Sequence, residues 1–186
     1  GQWSEVEVAK VICGVAEALA YLHSIGVMHR DVKPQNVMRV TQEEDSKVAL
    51  TDFGLACSVK QGKQTLLCGT PYYLAPEVVA KPCPGYSTQA DNWALGVMMF
   101  IMLTGQPPFV HDNNAKLYKL IQKGAFDDKL LRSVSPAAAA VVKGLLCVDP
   151  SKRMLAAQVV SSEWGKTAPT RDLGEKVRAS VIDLFS

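Results

Sequence analysis

Residues 29–36 read His-Arg-Asp-Val-Lys-Pro-Gln-Asn, and sixteen positions past Asn36 comes Asp52-Phe53-Gly54. As chemistry, this is a carboxylate (Asp31), an ammonium two residues on (Lys33), an amide (Asn36) and a second carboxylate (Asp52). A carboxylate within reach of a hydroxyl can orient it and accept its proton. A neighbouring ammonium can neutralise negative charge that grows during a transfer. A neutral amide oxygen together with a carboxylate suits a hard cation such as Mg²⁺. Gly54 lets the backbone change direction directly after the second carboxylate. A cation shared by Asn36 and Asp52 would tie two separated loops together. The plainer reading is that Asp31 and Asn36 are turn residues around Pro34, a role Asx side chains favour.

Such loops need elements to hold them. Val8, Val11, Ile12, Val15, Leu19 and Leu22 form one apolar stripe at helical spacing, which predicts a helix over the first two dozen residues. Ser4 with Glu7 reads as its capping box, Trp3 as a staple onto Val8, and Gly26 as its end. Between residues 27 and 56, short apolar pieces (27–28, 36–40, 47–50) alternate with polar turns and predict short strands and loops. Residues 57–71, rich in Lys, Gln, Gly, Ser and Thr, read as an exposed, mobile loop. Residues 93–103 are apolar on every side and predict a central helix buried all round. An amphipathic helix over 114–123 ends at Gly124. Ser135-Pro136 opens another through Leu146, and 156–164 predicts one more short helix. Leu173, Val177, Val181, Leu184 and Phe185 give a last stripe, with Asp172 and Glu175 placed as its cap. The fold class predicted is mainly α with short β-strands.

Composition narrows the setting. The chain has 186 residues, 48% hydrophobic and 20% charged, with a net charge of +2. That much apolar content at so little net charge excludes intrinsic disorder and argues against binding nucleic acid through bulk charge. The five cysteines (13, 57, 68, 83 and 147) are odd in number, with no C-x-x-C pair. They suggest neither a disulfide framework nor a zinc site, and so a reducing interior, cytoplasm or nucleus. The longest apolar run, 93–103, is 11 residues, short of the roughly 18–20 that a membrane span needs.

After a 20-residue loop that follows Gly54 stands Ala75-Pro76-Glu77. With H-R-D-x-K-x-x-N and D-F-G before it, the chain resembles the C-terminal, large lobe of a eukaryotic protein kinase, with the small lobe absent. The resemblance implies a serine/threonine kinase that moves the γ-phosphate of ATP to protein hydroxyls with Mg²⁺ as cofactor. It assigns Asp31 to the substrate hydroxyl, Lys33 to the γ-phosphate, and Asn36 and Asp52 to the metal. ATP would also meet Gln35, Met38 and Thr51, although Met38 could equally be a core methionine. Gly69-Thr70-Pro71-Tyr72-Tyr73-Leu74 resembles the pocket for the residue after the phosphoacceptor, with Thr70 and Leu74 inside it. Thr70 with Lys33 implies serine/threonine rather than tyrosine substrates. Asp91 and Trp93 match a D-x-W whose Asp91 holds the catalytic-loop backbone. Glu77 and Arg153 match a buried ion pair, the alternative being that Arg153 is a solvated cation beside Lys152. His29 and Phe53 read as packing residues. Arg30 reads as a cation awaiting an activation-loop phosphate. Thr65 is the chosen acceptor for it, although an unmodified loop threonine is the plainer reading and Leu66 stands where relatives carry the phosphothreonine. Gln35 stands where many relatives have glutamate, so no arginine preference is implied.

Residues 52–56, 69–77 and 105–109 resemble most the calcium/calmodulin-regulated kinases and the calcium-dependent kinases of plants and protists. On this view residues 1–164 form the lobe. Residues 165–186 form a linker and a tail helix resembling the start of an inhibitory junction, or else a helix that merely packs on the lobe. No G-x-G-x-x-G loop or strand lysine occurs upstream. The chain is therefore expected to be a fragment lacking the ATP-clamping lobe, inactive alone, with apolar surface exposed where that lobe would sit. No calcium-binding loop follows, which leaves any calcium control to a regulatory domain outside this chain. The implied partners are ATP and a protein substrate, with no nucleic acid and no membrane. A non-catalytic docking module is the competing reading, supported by the missing small lobe and opposed by the intact set Asp31, Lys33, Asn36 and Asp52. Asp31 is expected to be an exposed loop carboxylate that contributes little to folding.

Overall fold

In the computed structural model, residues 4–41 and 47–168 are described. Helix α1 (Glu5–Ser24) starts where the Ser4 N–H donates to Glu7 Oε2 at 2.7 Å. It buries Val8, Val11, Ile12, Val15 and Leu19, the predicted stripe, while Leu22 at its end is only partly covered. Gly26, at φ +77°, turns the chain into β1 (Val27–Met28). Strands β2 (Val37–Arg39) and β3 (Val48–Leu50) form an antiparallel pair in register Val37↔Leu50, Met38↔Ala49 and Arg39↔Val48. The second pair joins β1 to β4 (Cys57–Ser58). The molecule is thus mainly helical with a few short strands.

The centre of the core is α3 (Gln89–Thr104), buried at every position from Ala90 to Leu103. That is the consequence of an apolar run with no polar face to turn to water. Helix α1 packs on one side of it, and α5 (Pro136–Leu145) on another. The α3–α5 contact is close because α3 carries Gly96 there. A Cβ added at Gly96 would lie 2.7 Å from Leu145 Cβ and 3.1 Å from Leu146 Cδ2. Alanine gains about 1 kcal/mol in helix propensity, but overpacking a filled core costs about 1–3 kcal/mol. Gly96→Ala is therefore expected to lower stability by up to about 2 kcal/mol in urea unfolding. A gain in the urea midpoint would show that the two helices have room to separate.

Helix α4 (Asn114–Lys123) runs as the sequence predicts, opened by Asn113 Oδ1 accepting from the Lys116 N–H and ended by Gly124 at φ +61°. Ser135 caps α5 through its hydroxyl, which accepts from the Ala138 N–H. The helix predicted over 156–164 is two: α6 (Ala156–Ser161) and α7 (Glu163–Thr167). Ser162 breaks them with extended backbone (ψ 160°), its hydroxyl capping α7 by accepting from the Gly165 N–H at 3.0 Å. A serine's capping bond competes with continuing the helix. Elements outside the predicted set include α2 (Pro76–Val79) and a 3₁₀ turn over Asp128–Ser133. The 57–71 segment is exposed over much of its length but is not a free loop. Its start pairs with β1, and Gln64 bridges Tyr86. Trp3 and the tail stripe with its cap, Asp172 and Glu175, lie outside the described residues, as does most of the segment 165–186. Among the described residues no helix is long and apolar enough to cross a membrane.

Candidate active site

The 29–36 loop leaves β1 and closes in a 3₁₀ turn, Pro34–Asn36, before β2. Its backbone is held from the core. The N–H groups of His29 and Arg30 donate to Asp91 Oδ2 and Oδ1, each at 2.9 Å, and His23 Nε2 meets Oδ2 at 2.9 Å. Asp91 is 1% exposed and lies in the first turn of α3, where the helix dipole and charge-assisted donors favour a carboxylate. With those bonds in place Arg30 adopts φ +69°, a left-handed conformation that bulky residues rarely take. Its Nε–H donates to the Leu55 carbonyl.

His29 is fully buried. Its Nε2 lies 2.9 Å from the Thr51 carbonyl, and its Nδ1 lies 3.3 Å from the Asp31 N–H. A carbonyl can only accept and an N–H can only donate, so the ring is the neutral Nε2–H tautomer. It meets Phe53 edge-on at 5.2 Å. This histidine is a spacer between the two loops, and Phe53, 49% exposed, packs on it from the open side.

Asp31 differs from expectation. Its side chain is 11% exposed and gathers four donor groups. Oδ1 accepts from the Thr70 hydroxyl at 2.7 Å and the Thr70 N–H at 3.2 Å. Oδ2 accepts from Lys33 Nζ at 2.7 Å and Asn36 Nδ2 at 3.1 Å. Lys33 Nζ also donates to the Thr70 hydroxyl at 3.0 Å. Partial burial pushes the carboxyl's pKa up, but the bonds from Lys33 and Thr70, the Lys33 charge and Asn36 outweigh it. The net effect holds the group below the usual carboxylate range. The structure thus joins Asp31, Lys33 and Thr70, 39 residues apart at the extremes, into one cluster.

Asn36 is 6% exposed, and its amide nitrogen is committed to Asp31, to the carbonyl at 2.8 Å as well as to the carboxylate. That fixes which end of the amide carries the free oxygen. Its main-chain carbonyl accepts both the N–H (2.8 Å) and the hydroxyl (3.1 Å) of Thr51. Asp52, the next residue, is thereby delivered beside Asn36 at φ +59°, with Oδ1 accepting from the Gly54 N–H at 3.2 Å. One amide oxygen and one exposed carboxylate fit a divalent cation that takes its remaining ligands from phosphate and water. Among the described residues no group of three or more His, Cys, Asp or Glu could hold a metal by itself.

The remaining predicted residues fall as follows. Gln35 is exposed, Thr51 half-buried and Leu74 buried beneath Thr70. Met38 is 59% exposed, which overturns its reading as a core methionine, since its β2 position points away from the packed face. Thr65 is exposed. Arg153 is 3% exposed, which overturns its reading as a solvated cation. It forks onto Glu77 (Nη1–Oε1 2.7 Å, Nη2–Oε2 2.8 Å), donates to the carbonyls of Cys147, Val148 and Gln89, and lies 5.2 Å over the Trp93 ring. Two features escaped the sequence reading. Tyr86 ties the 64–68 segment down, and buried Glu5 accepts from Ser135 and from Trp164 Nε1. An acidic residue in a first helical turn and a tyrosine in a polar turn carry no signal of such distant partners.

The family model described as "protein kinase domain" matches residues 1–165. The chain is 38% identical to "Calcium/calmodulin-dependent protein kinase type 1" of Macrobrachium nipponense, covering 100% of this chain and 54% of that protein. It is 41% identical to "Serine/threonine-protein kinase H1 homolog" of Danio rerio, over 88% of this chain and 40% of the relative. It is 38% identical to the type 1 kinase of Caenorhabditis elegans, over 93% and 50%. The chain spans about half the length of the curated relatives it matches.

Proposed function

The chain belongs to the protein kinase domain family and is similar to serine/threonine kinases close to the calcium/calmodulin-dependent group, and from that premise we propose that it is the catalytic and substrate-binding lobe of a serine/threonine protein kinase. The reaction is transfer of the γ-phosphoryl group of ATP to a serine or threonine hydroxyl of a protein. The observation that carries it is the Asp31–Lys33–Thr70 cluster, a carboxylate and an ammonium held in register by a threonine hydroxyl and ready to receive a second hydroxyl.

Phosphoryl transfer passes through a loose transition state, so positioning and charge do most of the work. Asp31, ionised at neutral pH and kept so by its donors, is a weak base suited to aligning the incoming hydroxyl. As that oxygen bonds to phosphorus and the bond to the ADP oxygen breaks, the hydroxyl proton passes to Asp31. Lys33 sits on the same carboxylate and offers its charge to the equatorial phosphate oxygens. Mg²⁺, bound with ATP, would supply charge neutralisation, with Asn36 and Asp52 as its ligands on this chain. Thr70 and Leu74 form the start of the peptide site. Exposed Met38, Val40 and Phe53, all beside the β2–β3 pair or the Asp52 turn, support an apolar contact there with sequence outside these residues.

The test is phosphate transfer by the full-length protein from labelled MgATP to a serine peptide and to its tyrosine counterpart. Label on serine alone, lost when magnesium is chelated, is expected, and residues 1–186 alone should bind MgATP weakly or undetectably in calorimetry. No transfer to either peptide would favour a docking module instead.

A further inference from the structure

Tyr86 lies between α2 and α3, is 3% exposed, and belongs to none of the motifs used above. Every polar group it owns is turned toward the segment that leads into Thr70. Its main-chain N–H and C=O both pair with Gln64, at 2.8 and 2.9 Å. Its hydroxyl donates to the Leu66 carbonyl and lies 3.7 Å from Cys68 Sγ. Arg30 lines the same small cavity as Tyr86. Gln64 and Cys68 are half-buried, whereas Thr65, Leu66 and Leu67 are exposed, so Tyr86 holds Leu66 by its main-chain carbonyl while its side chain faces out.

These bonds hold the segment at both ends: Asp31 holds Thr70 at one, and Tyr86 holds Leu66 at the other. Gly69 sits between at φ +107°, and a Cβ there would lie 2.6 Å from the Arg30 carbonyl oxygen, so the segment is pressed on the loop with no space for a side chain. The cavity that Arg30, Asp31, Cys68, Thr70 and Tyr86 help to line is only about 20 Å³, room for one water at most.

We infer that Tyr86 is a positioning residue: its hydroxyl holds the Leu66 carbonyl and thereby fixes where Thr70, and the peptide it meets, stands against Asp31. A neutral hydroxyl makes this bond, so the segment is set without any added charge. The inference rests on the kinase reading for its catalytic consequence but not for its structural one.

Tyr86→Phe keeps the ring and removes the hydroxyl. Hydrogen exchange of the full-length protein is expected to quicken about tenfold at the hydrogen-bonded amides of this segment, Gln64 and Thr70, the size of one lost hydrogen bond, with α3 unchanged. In steady-state kinetics the peptide KM should rise severalfold while the KM for MgATP stays put, a split that general loosening would not give. Unchanged exchange at Gln64 and Thr70, or a quickening shared equally by α3, overturns the inference, the latter by making Tyr86 an ordinary core residue. Gly69→Ala, which keeps the hydroxyl but lifts the same segment off the Arg30 carbonyl, should raise the peptide KM likewise; an unmoved KM counts against the segment's placement setting the peptide site. If the wild type transfers no phosphate, the kinase reading fails and the exchange comparison still decides the anchor.

Discussion

Asp31→Asn is expected to lower kcat for phosphate transfer by about 10³-fold, within the range of about 10²–10⁴ that a positioned acid–base group contributes. Asparagine matches the shape but carries no charge, so the incoming hydroxyl loses its acceptor and Lys33 loses its counter-ion. The peptide KM should change little, because the loss falls on the transition state. Residual activity within tenfold of wild type would remove Asp31 from the reaction. The variant should also be less stable, by about 1 kcal/mol, since four donor groups converge on this carboxylate but part of it stays near solvent. The pH dependence follows from the depressed native pKa. Unfolding lets the carboxyl return to about 3.9, so the ionised form stabilises the fold at all pH values above that. The contribution is lost as pH falls from about 4 through the lower native value. Urea midpoints of wild type and Asp31→Asn should therefore differ at pH 7 and converge below pH 4; a gap that widens on acidification contradicts the assignment.

The second large effect belongs to Arg153. Arg153→Ala should destabilise the protein by about 3–5 kcal/mol, because it strands the Glu77 carboxylate inside the fold. Three main-chain carbonyls and the face of Trp93 lose their partner as well. Replacing both partners, Glu77→Leu with Arg153→Leu, should recover part of that loss, since no buried charge remains unpaired. Denaturant unfolding with a loss under 1 kcal/mol for the single variant would mean that water reaches Glu77 once the arginine is gone. The pair also bears on the peptide site. Glu77 lies in α2, three residues past Leu74, so the chain that follows Thr70 is tied through this fork to the turn between α5 and α6.

Chemical type at fixed spacing is what made Asp31, Lys33, Asn36 and Asp52 readable, and the apolar periods of α1, α3 and α4 were readable for the same local reason. What escaped depends on partners far away in the chain. Asp31 looked like an exposed carboxylate because nothing near it announces Thr70, which covers it. The Glu77–Arg153 pair, 76 residues apart, was legible only through the family resemblance, since spacing alone allows Arg153 to be a solvated cation beside Lys152. Nothing near Glu5 announces Ser135, 130 residues on, whose N–H and hydroxyl donate to it. The break at Ser162 is a different failure, a contest between helix continuation and a hydroxyl cap that apolar periodicity does not register. Met38 was ambiguous because a methionine on a two-stranded edge has the same spacing whichever face is covered.

Asp91 has a consequence for how this protein ages, mutates and responds to heat. Its carboxylate grows from the most buried helix and grips the backbone on which Asp31 is mounted. The accuracy of the reacting groups is therefore inherited from the interior rather than built locally. Damage anywhere along that helix should surface first as lost turnover, in protein that is still folded and still in solution.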